Sequence, residues 1–340
     1  MRESINLYCA KIGADSNLVQ GAGGNISWKE DGILWIKASG TWLSEASKRN
    51  IFVPADLAFL QDNIASENFL VTPKLIGGTE QLRASIETLL HALMPQRIVL
   101  HLHAIEPLAH LVRQDFELNV SVLLDEKFNW TSTKYHKPGA ALAEAVSVVL
   151  KLKPGSNVVL LGNHGVVIGA STLDEINDIL YQLTAVLAVR PRNLVAAEFP
   201  AHPIKLENDR IYLPISDSVI HQLAIDEFLF DLLPYSWTLY PDHIVFLGTK
   251  PFCYDSIDEV YAEYSCNDIY PEIIFVRKMG VFSRPDLSIA KTVQLRCYYN
   301  VLARQKYPKL INVLSRDQVA ELLDWDAEHY RISITKQSLS

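Results

Sequence analysis

Residues 157–169 read NVVLLGNHGVVIG, two short apolar runs hinged on Asn163-His164-Gly165. Each run is too short for an ordinary helix and rich in Val, Ile and Leu, so both read as buried strands, with Gly165 expected to let the chain turn sharply between them. The same kind of run recurs at Ile33–Lys37 and at Arg97–His103, RIVLHLH. Between the runs lie longer stretches with helical spacing, Ile5–Ile12, Ser85–Leu93, Gly139–Leu150 and Thr172–Val189. Strands alternating with helices predict an α/β fold around one layered core. Periodicity lapses over Arg190–Pro203, where Pro191, Pro200 and Pro203 stand, and a domain boundary is expected near residue 200. Beyond it the pattern resumes with helices at Ser216–Leu233, Leu287–Arg304 and Asp317–Tyr330 and strands at Ile244–Gly248 and Glu272–Val276. The expected organisation is a domain over 1–200 and a second, smaller α/β domain over 201–340.

Bulk properties exclude several classes of function. The net charge is −8 and no stretch is rich in Lys and Arg, which speaks against nucleic acid as a partner. Cys9, Cys253, Cys266 and Cys297 form no Cys-x-x-Cys pair, so neither a disulfide framework nor a cysteine zinc site is indicated, and a reducing cytoplasm fits best. No apolar run approaches the length needed to span a bilayer, and the N-terminus lacks the apolar core of a signal peptide. A soluble protein without membrane partners is expected.

Three histidines carry the chemistry. His101 and His103 are two residues apart at the end of an apolar run, and strand residues two apart share a face, so both imidazoles can meet one ion. His164 closes a set of three, and three nitrogens with an open fourth position are what a catalytic zinc needs, although another divalent metal would also suit. The plainer alternatives are core histidines on a strand and a turn histidine. Upstream, Gly21-Ala22-Gly23-Gly24-Asn25-Ile26-Ser27 offers backbone N–H groups, an amide and a hydroxyl, a composition suited to phosphate, and Ser39-Gly40-Thr41 after the strand ILWIK could add a hydroxyl and an N–H. Neither turn matches a nucleotide-binding motif. Ser85 is expected to cap a short helix and Glu87 to fall in its first turn, where a carboxylate serves either as a helix-start acid or as a base.

Taken in order, GAGGNIS, KASGT, RASIETLLH, HLH and NHG resemble the class II aldolase/adducin family, typified by sugar-phosphate aldolases, over about residues 1–195, with Ser39 fourteen positions after Asn25 as in that family. The resemblance implies a mixed sheet between helix layers, with His101, His103 and His164 as ligands to zinc (Zn2+). It implies Glu87 as the carboxylate that shuttles the substrate proton, and Gly24, Asn25, Ser39, Gly40 and Ser85 around a phosphate. It further implies a lyase acting on a small phosphorylated sugar or ketone through an enediolate, and a homo-oligomer, commonly a tetramer. A C4-epimerase on the same site and a non-catalytic, adducin-like interaction module are the alternatives. Ile86 stands where the family often has a second serine, and no tyrosine lies near residues 118–124, where sugar-phosphate aldolases carry a proton donor; Tyr135 is the nearest phenol. His110, His136 and His243 fall on no ligand position. Residues about 234–305, including LYPDHIVFLGTKPF, are similar to the segment that follows the aldolase domain in bifunctional aldolase/short-chain dehydrogenase proteins, and no NAD site is expected to come with them.

Overall fold

The computed structural model describes residues 1–77, 82–124, 127–197, 200, 202–206, 209–266 and 270–323. Glu80, which would be the next carboxylate to consider after Glu87, and the end of the helix expected over Asp317–Tyr330 lie outside them. The chain divides into two units, Met1–Val189 with the residues from Leu314 onward, and Arg190–Val313.

In the first unit seven strands, β1 (Asn25–Glu30), β2 (Ile33–Lys37), β3 (Phe52–Asp56), β4 (Ile98–Leu102), β5 (Trp130–Thr133), β6 (Val158–Leu161) and β7 (Gly165–Ala170), form one mixed sheet. Its order is β3-β2-β1-β4-β7-β6-β5, antiparallel throughout except for the parallel pair β5–β6. Helices α1 (Arg2–Gly13), α2 (Leu57–Ala65), α3 (Thr88–Leu93), α4 (Ile105–Leu111), α5 (Phe116–Leu123), α6 (Ala140–Leu152) and α7 (Leu173–Val186) cover it. The pleat sorts the core into two layers. Ile98, Leu100 and Leu102 of β4 pack with α1, α5 and α7, whereas Val99 packs with Leu90 of α3 and Leu142 and Val146 of α6. His101, in phase with Val99, therefore belongs to the α3/α6 side.

Local chemistry sets the element ends. Thr172 and Glu175 form a reciprocal capping box at the start of α7, and the Asp56 carboxylate accepts from Phe59 N–H at the start of α2. The turn between β6 and β7 differs from expectation: Asn163, not Gly165, takes the left-handed conformation, with φ 51°. Gly165 is needed for a different reason, since a Cβ there would lie 2.3 Å from the Leu102 carbonyl oxygen on the adjacent strand.

The second unit has a five-stranded sheet of β8 (Ile204–Lys205), β9 (Ile211–Pro214), β10 (Cys253–Tyr254), β11 (Ile273–Val276) and β12 (Gly280–Ser283), in the order β10-β11-β12-β9-β8. Helices α8 (Gln222–Ile225), α9 (Glu227–Ser236), α10 (Pro241–Leu247), α11 (Ile257–Cys266) and α12 (Ile289–Leu302) complete it, and α13 (Arg316–Leu323) groups with the first unit. Two expectations are corrected here. Ile244–Gly248 is the end of helix α10, not a strand: Pro241 opens it, and Gly248 closes it with φ 83°. The helix expected over Ser216–Leu233 is two, because Asp226 leaves the helical conformation and its carboxylate caps α9 through Phe228 and Leu229 N–H. Among the described residues no helix is long and apolar enough to cross a membrane.

Candidate metal centre

β1 and β7 flank β4, and their register brings the motif residues together. Asn25 pairs directly with His101 across β1 and β4, and Leu102 pairs with Val166 across β4 and β7, so that His164, two residues before Val166, arrives beside His103. The three imidazoles form a nearly equilateral triangle, with ring centroids 4.9, 5.0 and 5.2 Å apart. All three are buried, and one nitrogen of each lies within 4.8 Å of the others.

The donor set fits a metal ion. Two nitrogens bound to zinc at the tetrahedral angle stand roughly 3.3 Å apart, given bonds of about 2.0–2.1 Å, and His101 Nε2 and His103 Nε2 are 3.2 Å apart. His101 Nδ1 lies 3.1 Å from the Val166 carbonyl oxygen, an acceptor, which places the ring proton on Nδ1 and leaves Nε2 as a lone pair. Burial drives the His101 pKa down to about 3 against the opposing pull of Glu87, so the ring is neutral at physiological pH, as a ligand must be. Glu87 Oε1 is 3.2 Å from His164 Nε2 and 3.5 Å from His101 Nε2, yet it accepts no hydrogen bond from either. The three nitrogens thus share one small space with this carboxylate oxygen at its edge.

Glu87 stands at the N-cap of α3, which begins at Thr88, but its carboxylate makes no capping hydrogen bond. Its other oxygen, Oε2, accepts from Asn25 Nδ2 at 3.1 Å. Ser85 does not cap α3 as expected. Its hydroxyl oxygen accepts from Asn25 Nδ2 at 2.7 Å and from Glu87 N–H at 3.2 Å, tying strand, turn and carboxylate together.

The two glycine-bearing turns meet beside this cluster. Gly24 has φ 69°, and a Cβ there would lie 3.2 Å from the His101 carbonyl oxygen, so only glycine brings the chain this close to β4. Ser39 N–H donates to Arg83 O at 3.0 Å, and Ala38 bridges Ala84, which holds the second turn against Ser85. The Ser39 amide is therefore committed, and the Thr41 hydroxyl is also occupied, donating to Ala38 O at 2.8 Å. The donors this turn can offer a ligand are the Ser39 hydroxyl and the Gly40 N–H. Lys37, 2% exposed, donates through Nζ to Ala22 O and Thr41 O and so links the two turns. Ser85 also lines a largely apolar cavity of about 600 Å³ with Ile86, Phe69, Val71 and Leu89.

Sequence reasoning missed a second layer. Ser27 Oγ and His91 Nδ1 share a hydrogen bond of 2.8 Å between two fully buried side chains. Burial lowers the His91 pKa to about 4, so this ring too is neutral. The signal was available: Ser27 is two residues after Asn25 on a strand and His91 four after Glu87 on a helix, each on the face of the residue it follows.

A family model described as Class II Aldolase and Adducin N-terminal domain matches residues 5–190. An uncharacterized oxidoreductase of Bacillus subtilis (strain 168), YuxG, is 26% identical over 187 residues, which is 51% of this chain but only 26% of that protein's length. Among solved structures, the N-terminal class II aldolase domain of a conserved protein from Thermoplasma acidophilum is similar with a TM-score of 0.45 and 23% identity, over 54% of this chain and 90% of that one. A sugar-phosphate aldolase from Thermotoga maritima has a TM-score of 0.42 and 17% identity, over 55% and 93%.

Proposed function

Because the chain belongs to the class II aldolase and adducin family, we propose that it is a divalent-metal-dependent carbon–carbon lyase acting on a small phosphorylated sugar. The observation that supports this most is the convergence of three buried imidazoles on one point, with an unsatisfied carboxylate oxygen of Glu87 beside them. An interaction module would have no use for so costly an arrangement of buried polar groups.

In this reading His101, His103 and His164 hold the ion, zinc being the best match to three imidazoles. When bound, it would supply Lewis acidity that draws charge from the oxygens of a ketone phosphate. Glu87 takes or returns the proton at the adjacent carbon through Oε1, while Asn25 Nδ2 fixes Oε2 and so decides which oxygen faces the substrate. The phosphate lies against Gly24, Asn25, Ser39, Gly40 and Ser85. Asn25 spends its amide hydrogens on Ser85 and Glu87. The Ser85 hydroxyl accepts from Asn25 and from Glu87 N–H through its lone pairs and keeps its own hydrogen to donate to a phosphate oxygen. Holding the phosphate away from the reacting carbons orients the substrate without burdening the chemistry.

The test is elemental analysis of the purified protein, followed by retro-aldol assays over a panel of ketose 1-phosphates with detection of dihydroxyacetone phosphate. About one divalent ion per chain and release of the ketone phosphate from one of the sugars are expected. A metal-loaded protein that neither cleaves any of them nor exchanges a proton with the ketone phosphate would overturn the lyase reading. Sedimentation should show a homo-oligomer, for which a tetramer is the expectation.

A further inference from the structure

Two buried polar contacts connect strand β1 to the turn and helix that carry Glu87. The first, Asn25 to Glu87 and Ser85, belongs to the site itself. The second, Ser27 to His91, commits to a ring nitrogen the hydroxyl that the Gly21–Ser27 turn was expected to offer phosphate, and neither residue is one of the three histidines or Glu87. Both of its side chains have no exposure at all, and the second ring nitrogen of His91, Nε2, is buried without a hydrogen-bond partner.

Such a pair is an expensive way to fill a core. A leucine or phenylalanine at 91 facing an alanine at 27 would occupy the space without desolvating a hydroxyl and an imidazole or stranding a nitrogen. What the pair adds over apolar packing is direction. It fixes one point on β1 to one point on α3, and the geometry multiplies its effect: Ser27 is one pleat from Asn25, and His91 is one turn from Glu87, whose carbonyl accepts the His91 N–H at 3.1 Å. The Ser27–His91 and Asn25–Glu87 contacts are therefore parallel rungs between the same two elements. A shift of α3 along β1 that broke the lower rung would carry Glu87 away from Asn25 and from the nitrogens of His101 and His164.

We infer that Ser27 and His91 are positioning residues, a strut that sets the place of the Glu87 carboxylate relative to the three histidines. The inference rests on the proposed role of Glu87 for its kinetic consequence but not for its structural one.

The informative variant removes both ends. Ser27→Ala with His91→Phe leaves no polar group stranded, so the zinc-loaded protein should keep its metal and melt within a few degrees of the wild type, where either single change could unfold it. Proton exchange into the ketone phosphate should fall about tenfold in kcat with KM little changed, because neither substituted side chain is among the groups placed against the phosphate. His91→Asn, whose amide reaches the place of Nδ1, should recover most of the loss. A crystal structure of the zinc-loaded double variant should show the contact between Glu87 Oε2 and Asn25 Nδ2, 3.1 Å in the native protein, lengthened or split between two rotamers. The strut is overturned if Glu87 keeps its position in that structure, or if the double variant exchanges at the wild-type rate. A wild type that exchanges no proton counts against the proposed reaction alone; the crystallographic result then decides the strut by itself.

Discussion

His101 in the first unit and His243 in the second are both fully buried, and burial drives the pKa of each down to about 3. They differ in what faces them. Around His101 are two more imidazoles and a carboxylate, with its Nδ1 engaged by a backbone carbonyl so that Nε2 points at the cluster. Around His243 are the rings of Trp237, Tyr298 and Tyr240, with centroids 4.5, 4.4 and 5.6 Å away, and neither of its nitrogens has a hydrogen-bond partner. Depressed basicity thus marks neither as functional, since desolvation alone produces it. What separates them is convergence: the first ring is aimed, and the second is packed.

The contrast breaks most sharply on metal. His101→Ala or His164→Ala should abolish stoichiometric metal and with it all turnover, whereas His243→Phe should leave metal content at the wild-type level; full occupancy in the two alanine variants, measured by elemental analysis, would dissolve the distinction. Next in size is Glu87→Gln, which keeps shape and hydrogen-bonding reach but not basicity. Turnover should fall by 10²- to 10⁴-fold, roughly 3 to 5 kcal/mol of barrier, with the melting temperature and metal nearly unchanged. A smaller effect is expected of Ser85→Ala, which removes one hydroxyl beside the phosphate: a rise in KM worth about 1.5 to 3 kcal/mol with little change in kcat. If kcat falls instead, Ser85 matters through Asn25 and Glu87 rather than through the phosphate.

His243 sharpens the comparison through pH. Its folded-state pKa of about 3 lies below the unfolded value near 6.5. Between those values the unfolded chain binds a proton that the folded chain does not, so stability falls as pH drops below about 6.5. From pH 7 to pH 5 the loss assignable to this one ring is about 2 kcal/mol. Urea denaturation at both pH values should show it in the wild type and show it missing from His243→Phe. An unchanged pH dependence in the variant would mean that His243 is not held neutral by its aromatic surroundings.

The parts of the molecule that could be read from sequence were those governed by short periods. His101 and His103 share a face because strands alternate, and the runs around His164 announced two neighbouring strands. The helix at Pro241–Leu247 was misread because IVFLG is β-branched and apolar, although a proline at its start and a glycine at its end marked it as helical. Asp226 divides another expected helix for a local reason too, by capping α9. The function of Ser85 was beyond such reading. Whether its hydroxyl caps a helix or meets Asn25, 60 residues away in sequence, is settled by tertiary packing, as is the bond between Ser27 and His91 across 64 residues.

One feature of the sheet reaches beyond catalysis. β4 is hydrogen-bonded on both edges, with Asn25 opposite His101 on one side and Val167 opposite it on the other. A slip of one residue along either edge would exchange the faces of β4, sending His101 toward α1 and α7 and pressing a leucine against the Glu87 carboxylate. With an ion held as proposed, correct strand alignment and metal capture would be a single event, and an ion present during biogenesis would proofread the pairing of three strands at once, rewarding the native alignment and no neighbouring one.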